Sequence, residues 1–267
     1  MPTSKPILCG SIAGSIGGLG IKMHNAAFAA LGLPYTYVSF EPSSAQGALD
    51  AMRALGIRGL GVTMPYKEEV APLLDRLDDV SRETGAVNTI LNEDGVLTGY
   101  NVDGHGAVAA LLERTGLAGK KVAILGAGGG AKTIAYTLRQ YTGDITIFNR
   151  GEARGRAAAK LLGLAYGGGL HDAARADYDI LINATSVGFK SDDTPLARDQ
   201  LRAGSVVFDI VFAPAVTRLQ REAAAAGCTV IPGTRMIMHQ AMKQFTLYTS
   251  VDAPADVYEA VMKAALQ

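Results

Sequence analysis

Short apolar runs rich in β-branched residues alternate along the chain with longer stretches whose apolar positions recur at a helical period. The short runs predict strands at Tyr35–Phe40, Gly59–Thr63, Asn88–Leu91, Val122–Leu125, Ile145–Phe148, Ile180–Ile182, Val206–Phe208 and Thr229–Ile231. The longer stretches predict amphipathic helices at His24–Leu31, Ala45–Leu55, Lys132–Gln140, Arg154–Leu162 and Leu219–Ala226. This alternation is typical of βαβ units, so we expect an α/β fold with a mostly parallel sheet covered by helices on both faces.

The most suitable domain boundary is a turn-rich stretch near the middle of the chain. The 267 residues are enough for two domains of ~100–200 residues each. Thr98–Gly104 is rich in turn formers and leads into a helical pattern near Ala107–Arg114. After a break at Pro232-Gly233, helices at about Met236–Leu247 and Ala255–Leu266 contribute no strand. They therefore either complete the second domain or return to pack on the first.

Charge and cysteine content exclude several classes of function. Lys and Arg together number 25, as do Asp and Glu, so the chain lacks the basic field that nonspecific nucleic-acid binding needs. The two cysteines, Cys9 and Cys228, lie far apart with no ligand spacing, which predicts neither a metal site nor a disulfide framework. No apolar run approaches the ~18 residues of a membrane span, and no signal peptide is recognisable. We expect a cytoplasmic protein with a small-molecule substrate and no membrane partner, acting as a monomer or homodimer.

A glycine-rich turn lies between the predicted strand Val122–Leu125 and the following helix. In it, Gly126 permits a tight turn, Gly128 lets a pyrophosphate approach the backbone, and Ala131 lets the helix pack closely on the strand. Free N–H groups at the helix N-terminus would bind the phosphates. An ordinary βα turn remains the alternative. The strand and helix on either side favour a dinucleotide site formed by Gly126, Ala127, Gly128, Gly129, Gly130 and Ala131.

The end of the next strand indicates which dinucleotide binds. NAD sites carry an acidic residue there that bonds the ribose hydroxyl. In this chain Ile145–Phe148 ends in Asn149 and Arg150, with Arg154 in the next helix. A guanidinium holds a 2′-phosphate by charge-assisted hydrogen bonds, so NADP is favoured. The nearby Glu152 leaves NAD as the alternative, and solvated helix-start residues as another reading of the two arginines.

Chemistry-bearing residues cluster where strands or turns end in the first half of the chain. These segments are Gly61–Lys67, Gly85–Thr89 and Asn101–Gly104. Taken singly, neither residue requires a catalytic role, because Lys67 also fits a surface cation at a helix start and Asp103 also fits a helix N-cap. A nucleotide fold by itself does not determine a reaction.

Together and in this order, the motifs resemble the shikimate dehydrogenase family over nearly the whole chain. Thr63–Lys67 matches the family's Val-Thr-x-Pro-x-Lys segment, and Gly85–Thr89 matches Gly-Ala-Val-Asn-Thr. Asn101–Gly104 is similar to Asn-Thr-Asp-Gly. The remaining matches are the glycine loop Gly126–Ala131, Asn149-Arg150 with Arg154, Asn183–Ser186, and Gly233 with Met236 and Gln240.

The resemblance implies a dehydrogenase of aromatic amino acid biosynthesis that interconverts a cyclic hydroxy acid and its ketone with NADP(H). It implies an N-terminal α/β substrate domain over 1–102, joined by the helices of 236–267, and a Rossmann-type, doubly wound nucleotide domain over 103–235. Lys67 and Asp103 would form the catalytic dyad at the cleft between them. The implied substrate-binding residues are Ser15, Thr63, Asn88 and Gln240. Beyond the glycine loop, the implied cofactor-binding residues are Asn149, Arg150, Arg154, Thr185, Gly233 and Met236.

Three departures from the family pattern bear on the substrate. Ser11–Asn25 carries glycines where the family has a His-Ser-x-Ser-Pro segment that holds the substrate carboxylate, and only Ser15 and His24-Asn25 keep their places. Gly61 replaces an Asn, and Phe212 replaces a Tyr. Losing hydrogen-bonding groups from a polar site weakens binding of a hydroxylated ligand. We expect weak activity on shikimate and a less hydroxylated physiological substrate, as in a shikimate dehydrogenase-like subgroup. The alternative is a cofactor-binding sensor with little turnover.

Overall fold

The protein is known from a computed structural model, which describes residues 5–14 and 18–266. Internal contacts divide the chain into two compact units. The first unit is Met1–Val102 together with Gln240–Gln267, and the second is Asp103–His239. The boundary between His239 and Gln240 falls inside the long helix Gly233–Thr249, which therefore begins in the second unit and ends in the first.

The first unit contains a six-stranded sheet in the order β2-β1-β3-β5-β6-β4. Its strands are β1 (Ile7–Ile12), β2 (Tyr35–Phe40), β3 (Gly59–Val62), β4 (Arg76–Leu77), β5 (Thr89–Glu93) and β6 (Val96–Tyr100). Its helices are α1 (Leu19–Ala30), α2 (Ala45–Leu55), α3 (Asp79–Thr84), the later part of α8 (Gly233–Thr249), and α9 (Ala255–Ala265). Only β5 runs against the other strands, because it is antiparallel to both β3 and β6.

Local signals in the sequence determine where these elements begin, end and pack. The Ser44 hydroxyl accepts a hydrogen bond from the Gly47 N–H and caps α2, which ends at Gly56 in the left-handed conformation, φ 63°. A Cβ on Gly59 would lie 2.1 Å from the ring of Tyr248, so β3 needs glycine where α8 packs against it. The end of α8 is thereby seated on the sheet of the first unit.

The second unit contains a six-stranded, entirely parallel sheet in the order β12-β11-β10-β7-β8-β9. Its strands are β7 (Val122–Leu125), β8 (Ile145–Phe148), β9 (Ala165–Gly168), β10 (Ile180–Asn183), β11 (Val206–Asp209) and β12 (Thr229–Pro232). Its helices are α4 (Asp103–Leu112), α5 (Gly129–Leu138), α6 (Glu152–Leu162), α7 (Arg218–Ala225) and the start of α8. The central strands are buried throughout, as expected for a parallel sheet covered on both faces.

The α/β fold class and the mostly parallel strand arrangement predicted from the sequence are confirmed. Three strands that the pattern did not predict, β1, β6 and β9, each carry a glycine against a neighbouring group. A Cβ on Gly10 would lie 2.5 Å from the Val38 carbonyl oxygen, one on Gly99 2.6 Å from Leu74, and one on Gly167 2.3 Å from Phe148. Glycine is a turn signal in sequence, but here it permits close packing inside a strand. The part of Thr98–Gly104 predicted as turn-rich is therefore strand as far as Tyr100.

The short elements β4 and α3 also carry no signal in the hydrophobic pattern, because each is too short to show a period. Across residues 5–14 and 18–266, none of the helices combines the length and apolar character that crossing a membrane requires.

Candidate functional site

In the first unit, two of the motif segments are held together by backbone hydrogen bonds. The Val62 N–H donates to the Asn88 carbonyl oxygen over 2.7 Å, and the Val87 N–H donates to the Lys67 carbonyl oxygen over 2.8 Å. Lys67 is half-buried and Thr63, just after β3, is exposed. The loop that carries Thr63 and Lys67 is therefore fixed to the segment that carries Asn88.

The side-chain amide of Asn88 is hydrogen-bonded to the third motif segment, Asn101–Gly104. Its Oδ1 accepts hydrogen bonds from the Val102 N–H over 2.9 Å and from the Thr89 hydroxyl over 2.8 Å. Asn101 Nδ2 donates to the Ala86 carbonyl oxygen over 2.9 Å. Asp103 follows Val102 directly and is the first residue of α4. Asn88 thus orients the backbone that leads into Asp103.

Gln244 is a polar residue of this region to which none of the sequence motifs assigns a role. Its Nε2 donates to the Asn88 carbonyl oxygen over 3.2 Å and to the Thr89 hydroxyl over 3.0 Å. It lies on α8 one turn after Gln240, and residues four apart on a helix share a face. That spacing is the signal that points to Gln244.

The side chains of Tyr37 and Gln244 occupy the space next to Gly61. A Cβ there would lie 3.0 Å from the Tyr37 hydroxyl oxygen and 3.5 Å from the Gln244 Nε2. Burial raises the pKa of Tyr37, and its hydroxyl is hydrogen-bonded to Ser11. The space that a larger residue would need at position 61 is already taken by two polar groups.

In the second unit, the glycine loop has the geometry that its sequence predicts. Gly126 has a φ of 112°, and a Cβ on it would lie 2.8 Å from the Ala184 carbonyl oxygen. At Gly128, by contrast, a Cβ would meet nothing closer than 3.8 Å. Helix α5 begins at Gly129 with no side chain capping its first N–H groups, and Ala131 is fully buried. The loop therefore presents open backbone and uncapped donors at the carboxyl end of β7.

Arg154 lies beside this loop. Its Nε donates to the Ala127 carbonyl oxygen over 3.3 Å, and its terminal nitrogen lies 3.8 Å from the Cβ position of Gly128. Arg150 is exposed, and Asn149 Nδ2 donates to the Gly151 carbonyl oxygen over 2.8 Å. An exposed, cationic edge therefore borders the end of β8.

A buried carboxylate supports Thr185. Thr185 donates from both its N–H and its hydroxyl to Asn183 Oδ1, and Asn183 Nδ2 donates to Asp209 over 2.9 Å. The Thr217 hydroxyl also donates to Asp209, over 2.5 Å. Burial raises the pKa of Asp209 although these hydrogen bonds lower it. Asp209 has no motif around it in the sequence and was not predicted.

Gly233 and Met236 belong to the first part of α8. A Cβ on Gly233 would lie 2.4 Å from the Ile210 carbonyl oxygen, so the helix can start there only with glycine. Met236 is buried in the apolar core of the second unit, among residues that include Ile124 and Phe208. Met236 therefore forms part of the apolar core beneath the start of α8.

His239 has a carboxylate partner, Glu113, that the spacing of residues in the sequence does not indicate. Its Nε2 lies 2.5 Å from Glu113, which Arg235 also contacts through two nitrogens. Burial raises the pKa of Glu113, but hydrogen bonds from Arg235 and His239 outweigh that effect and lower it. Glu113 lies more than one hundred residues away along the chain, so only the fold brings it to α8.

Comparison with known proteins identifies the family. The profile described as "Shikimate dehydrogenase substrate binding domain" matches residues 17–90. The shikimate dehydrogenase (NADP(+)) of Pyrococcus abyssi is 44% identical over 231 residues, covering 86% of each chain. The chain belongs to the shikimate dehydrogenase family.

Solved structures of shikimate dehydrogenase relatives share the architecture. A crystal structure of a shikimate dehydrogenase in complex with NADP+ has a TM-score of 0.92 and 33% identity, covering 98% of this chain and 96% of that one. The quinate dehydrogenase from Corynebacterium glutamicum in complex with NAD has a TM-score of 0.88 and 28% identity, covering 98% and 100%. These two neighbours were solved with different dinucleotides, NADP+ in one and NAD in the other.

Ser15 and Gln240 are the other two substrate-binding residues that the shikimate dehydrogenase resemblance implies. Ser15 lies outside the described residues, so its role in carboxylate binding stays a prediction. Gln240 lies on α8 and is the first residue of the C-terminal segment that belongs to the first unit.

Phe212, which replaces the family's Tyr, is 49% exposed and packs against Phe189 with ring centroids 5.8 Å apart. Among residues 5–14 and 18–266, no three His, Cys, Asp or Glu side chains form a metal-binding group.

Proposed function

We propose that this protein is an NADP-dependent dehydrogenase that interconverts a shikimate-type cyclic hydroxy acid and the corresponding ketone. The observation that carries the proposal is the hydrogen bonding around Asn88. Through it, the backbone of Lys67, the Asn88 amide and the residue before Asp103 are fixed relative to one another. The names of the relatives, among them shikimate dehydrogenase (NADP(+)), support the same reaction. In this proposal the first unit binds the substrate and the second binds the cofactor.

The residues of the second unit fit NADP. Open backbone at Gly128 and uncapped N–H groups at the start of α5 suit a pyrophosphate, which would also contact Ala127, Gly129, Gly130 and Ala131. Arg154 and Arg150, with Asn149, would hold the 2′-phosphate, because no carboxylate occupies the end of β8. Thr185, Gly233 and Met236 would complete the cofactor site. When bound there, NADP(H) would supply the hydride acceptor or donor for the substrate carbon.

Lys67 and Asp103 would handle the proton of the same reaction. Oxidation of a secondary alcohol removes a hydride from carbon and a proton from oxygen, and the proton requires an acceptor. In the oxidising direction Lys67 accepts this proton as general base, and in the reducing direction it donates it back to the forming hydroxyl. Asp103 shares the proton with Lys67 as the second member of the dyad. Thr63, Asn88 and Gln240 would hold the substrate hydroxyls, and Ser15 the carboxylate.

The finer proposal concerns the substrate itself. Glycines around Ser15, together with Gly61 and Phe212, remove side-chain hydrogen-bonding groups relative to the family pattern. A site that has lost such groups binds a less hydroxylated acid relatively better. We therefore expect a lower kcat/KM for shikimate than for a cyclic hydroxy acid with fewer hydroxyl groups.

The experiment is a spectrophotometric assay of the purified protein with NADP+ or NAD+ and a panel of cyclic hydroxy acids that includes shikimate. Lys67→Ala and Asp103→Asn should each lower kcat by about 10²–10⁴-fold, the usual contribution of general acid–base catalysis. Lys160→Ala, an exposed lysine on α6, is the matched control and should retain full activity. Near-normal turnover by Lys67→Ala would refute the assigned role. NADPH binding without turnover of any panel member would favour a cofactor-binding sensor instead.

A further inference from the structure

We propose that Asp209 is a positioning residue that shapes the part of the nucleotide site for the nicotinamide half of the cofactor. The inference rests on the proposed function, since it concerns the dinucleotide site of the same dehydrogenase. It is carried by a chain of hydrogen bonds that leads from this carboxylate through Asn183 to Thr185. Asp209 and Asn183 are both fully buried.

The hydrogen-bond partners of Asp209 among the described residues are all uncharged. One carboxylate oxygen accepts hydrogen bonds from Asn183 Nδ2 over 2.9 Å and from the Val211 N–H over 3.2 Å. The other oxygen accepts from the Thr217 hydroxyl over 2.5 Å. Burying a carboxylate costs free energy unless its oxygens are hydrogen-bonded, so all three donors must stay in place around it. The carboxylate therefore fixes three separate points of the chain.

The orientation of the Asn183 amide is determined by two backbone groups, because a backbone group cannot exchange donor for acceptor. The Thr185 N–H lies 3.1 Å from Asn183 Oδ1, and the Val187 carbonyl oxygen lies 3.3 Å from Nδ2. The amide nitrogen therefore faces Asp209, and the amide oxygen faces Thr185, whose hydroxyl also donates to it over 2.7 Å. The hydroxyl oxygen in turn accepts from the Val187 N–H over 3.1 Å. Through this one amide, the carboxylate stabilises the turn formed by residues 183–187.

The same carboxylate also fixes the segment that follows β11. Its hydrogen bond to the Val211 N–H holds the backbone of Ile210 and Val211. This backbone borders the start of α8, since a Cβ on Gly233 would lie 2.4 Å from the Ile210 carbonyl oxygen and 2.8 Å from that of Val211. Thr185 and Gly233 are both among the residues assigned to the cofactor, so Asp209 supports two segments of that site at once.

The order of the strands indicates which half of the dinucleotide these segments contact. β8 and β10 are the two neighbours of β7, and the chain continues from β7 to β8 on one side and returns to β10 on the other. Ligands of parallel sheets bind at such a switch point. With the 2′-phosphate at Arg154 after β8 and the pyrophosphate at the glycine loop, the nicotinamide half extends over the end of β10. The turn borders that loop directly, because a Cβ on Gly126 would lie 3.2 Å from Thr185 Cγ2.

The test compares the Kd for NADPH with the Kd for adenosine 2′,5′-bisphosphate, which carries the 2′-phosphate but no nicotinamide. Asp209→Ala should raise the Kd for NADPH about tenfold, the effect of one hydrogen bond to a charged group, and change that for the bisphosphate less than about twofold. Asn183→Ala removes the amide through which the carboxylate acts and should give the same pattern. It also decides the question if Asp209→Ala does not fold. Fluorescence titration with NADPH, and its displacement by the bisphosphate, measure both constants.

Two further variants separate positioning from stability. Asp209→Asn keeps an oxygen for Asn183 and Val211, while the Thr217 hydroxyl can accept from the new amide nitrogen, so the Kd for NADPH should change less than about twofold. Thr217→Val removes the hydrogen bond to the other carboxylate oxygen and the cap of α7. It should lower the melting temperature and leave the Kd for NADPH unchanged.

Equal weakening of NADPH and bisphosphate binding in Asp209→Ala would overturn the inference, because a general loss of structure affects both ligands. So would a loss of thermal stability in Asp209→Ala and Asn183→Ala with an unchanged Kd for NADPH. If the unmodified protein binds NADPH but oxidises none of the hydroxy acids, the dehydrogenase assignment fails while the role of Asp209 is still decided by these constants. If it binds no dinucleotide, both proposals fail.

Discussion

The Nε of Arg154 donates a hydrogen bond to the carbonyl oxygen of Ala127 over 3.3 Å. This contact joins the first helix turn after β8 to the glycine loop after β7, two segments 27 residues apart in the chain. It holds the guanidinium beside the open backbone of Gly128, where an anionic group can approach both.

Replacement of this arginine should change the choice of dinucleotide. Arg154→Ala should raise KM for NADP+ about 10- to 100-fold, because a charge-assisted hydrogen bond to phosphate contributes about 1.5–3 kcal/mol. KM for NAD+, which has no 2′-phosphate, should change little. Initial rates with both dinucleotides measure this. Arg156→Ala is the control, since Arg156 lies two residues further along and pairs with Glu152 at the surface. Equal losses with NADP+ and NAD+ would contradict a role in selecting the 2′-phosphate.

Two glycines of the loop should respond differently to alanine. Gly126→Ala places a Cβ at positive φ, 2.8 Å from a carbonyl oxygen, and should lower the free energy of unfolding by at least about 1–2 kcal/mol. Gly128→Ala meets no close neighbour, so unfolding should shift by less than ~0.5 kcal/mol while the Kd for NADP+ rises. Urea unfolding and fluorescence titration with NADPH separate the two effects. If the two variants lost the same unfolding free energy and the same affinity for NADP+, the separate roles assigned to Gly126 and Gly128 would be wrong.

The environment of Gly61 predicts that the family's asparagine is not tolerated there. Gly61→Asn should lower the free energy of unfolding by about 1–3 kcal/mol through overpacking against Tyr37 and Gln244. Adding Tyr37→Phe should recover part of the loss, because it removes the oxygen that lies nearest to the new Cβ. Chemical denaturation of the two variants, with Tyr37→Phe alone as reference, measures the recovery. A stable Gly61→Asn variant would show that the neighbouring side chains have room to move aside.

Burial of His24 predicts an acid-dependent stability. Desolvation lowers the pKa of His24 to about 3 in the folded protein, although the Gln244 hydrogen bond opposes this, whereas the unfolded chain titrates near 6.5. Below pH 6.5 the unfolded state therefore binds one more proton than the folded state at this residue. Stability should fall with decreasing pH by up to about 1.4 kcal/mol per unit until the folded pKa is reached.

The comparison that isolates His24 is the slope of unfolding free energy between pH 6.5 and 4.5 in the unmodified protein and in His24→Asn. The side chains around the imidazole, Tyr37, Tyr248, Tyr258 and Gln244, are uncharged over this range, since burial raises the pKa of each phenol. The variant should show a shallower slope. Parallel curves would mean that His24 titrates in the folded state as it does in the unfolded chain.

Much of the fold was predictable because its central strands are continuous apolar runs. Val122–Leu125 and Ile145–Phe148 lie in the structure where the pattern predicts them. Strands such as β6 were missed because Gly99 signals a turn in the sequence while serving close packing in the fold. The hydrophobic periodicity of a sequence indicates which face of an element is apolar, but it does not indicate which residues pack against a glycine.

The site was predictable where a motif brings its own geometry, and less so where long-range packing creates the contact. The glycine loop needs only a strand, a turn and a helix, so Gly126 and Ala131 could be assigned from the sequence. Gln244 contacts Thr89 across 155 residues, and Asp209 supports Asn183 across 26. No local pattern encodes such pairs, and they become visible only when the chain is folded.

The crowding at Gly61 also constrains the order in which substitutions can accumulate at this site. A polar side chain at position 61 crowds the Tyr37 hydroxyl, 3.0 Å from its Cβ position, and borders the Gln244 amide, so it should be accepted more readily after Tyr37 or Gln244 has been replaced by a smaller residue. Loss of Gln244 in turn removes the donor that orients Thr89. Asparagine at position 61, as in the family pattern, is therefore expected to come with a second change at position 37 or 244. Laboratory selection for altered substrate preference should accordingly find paired substitutions here rather than single ones.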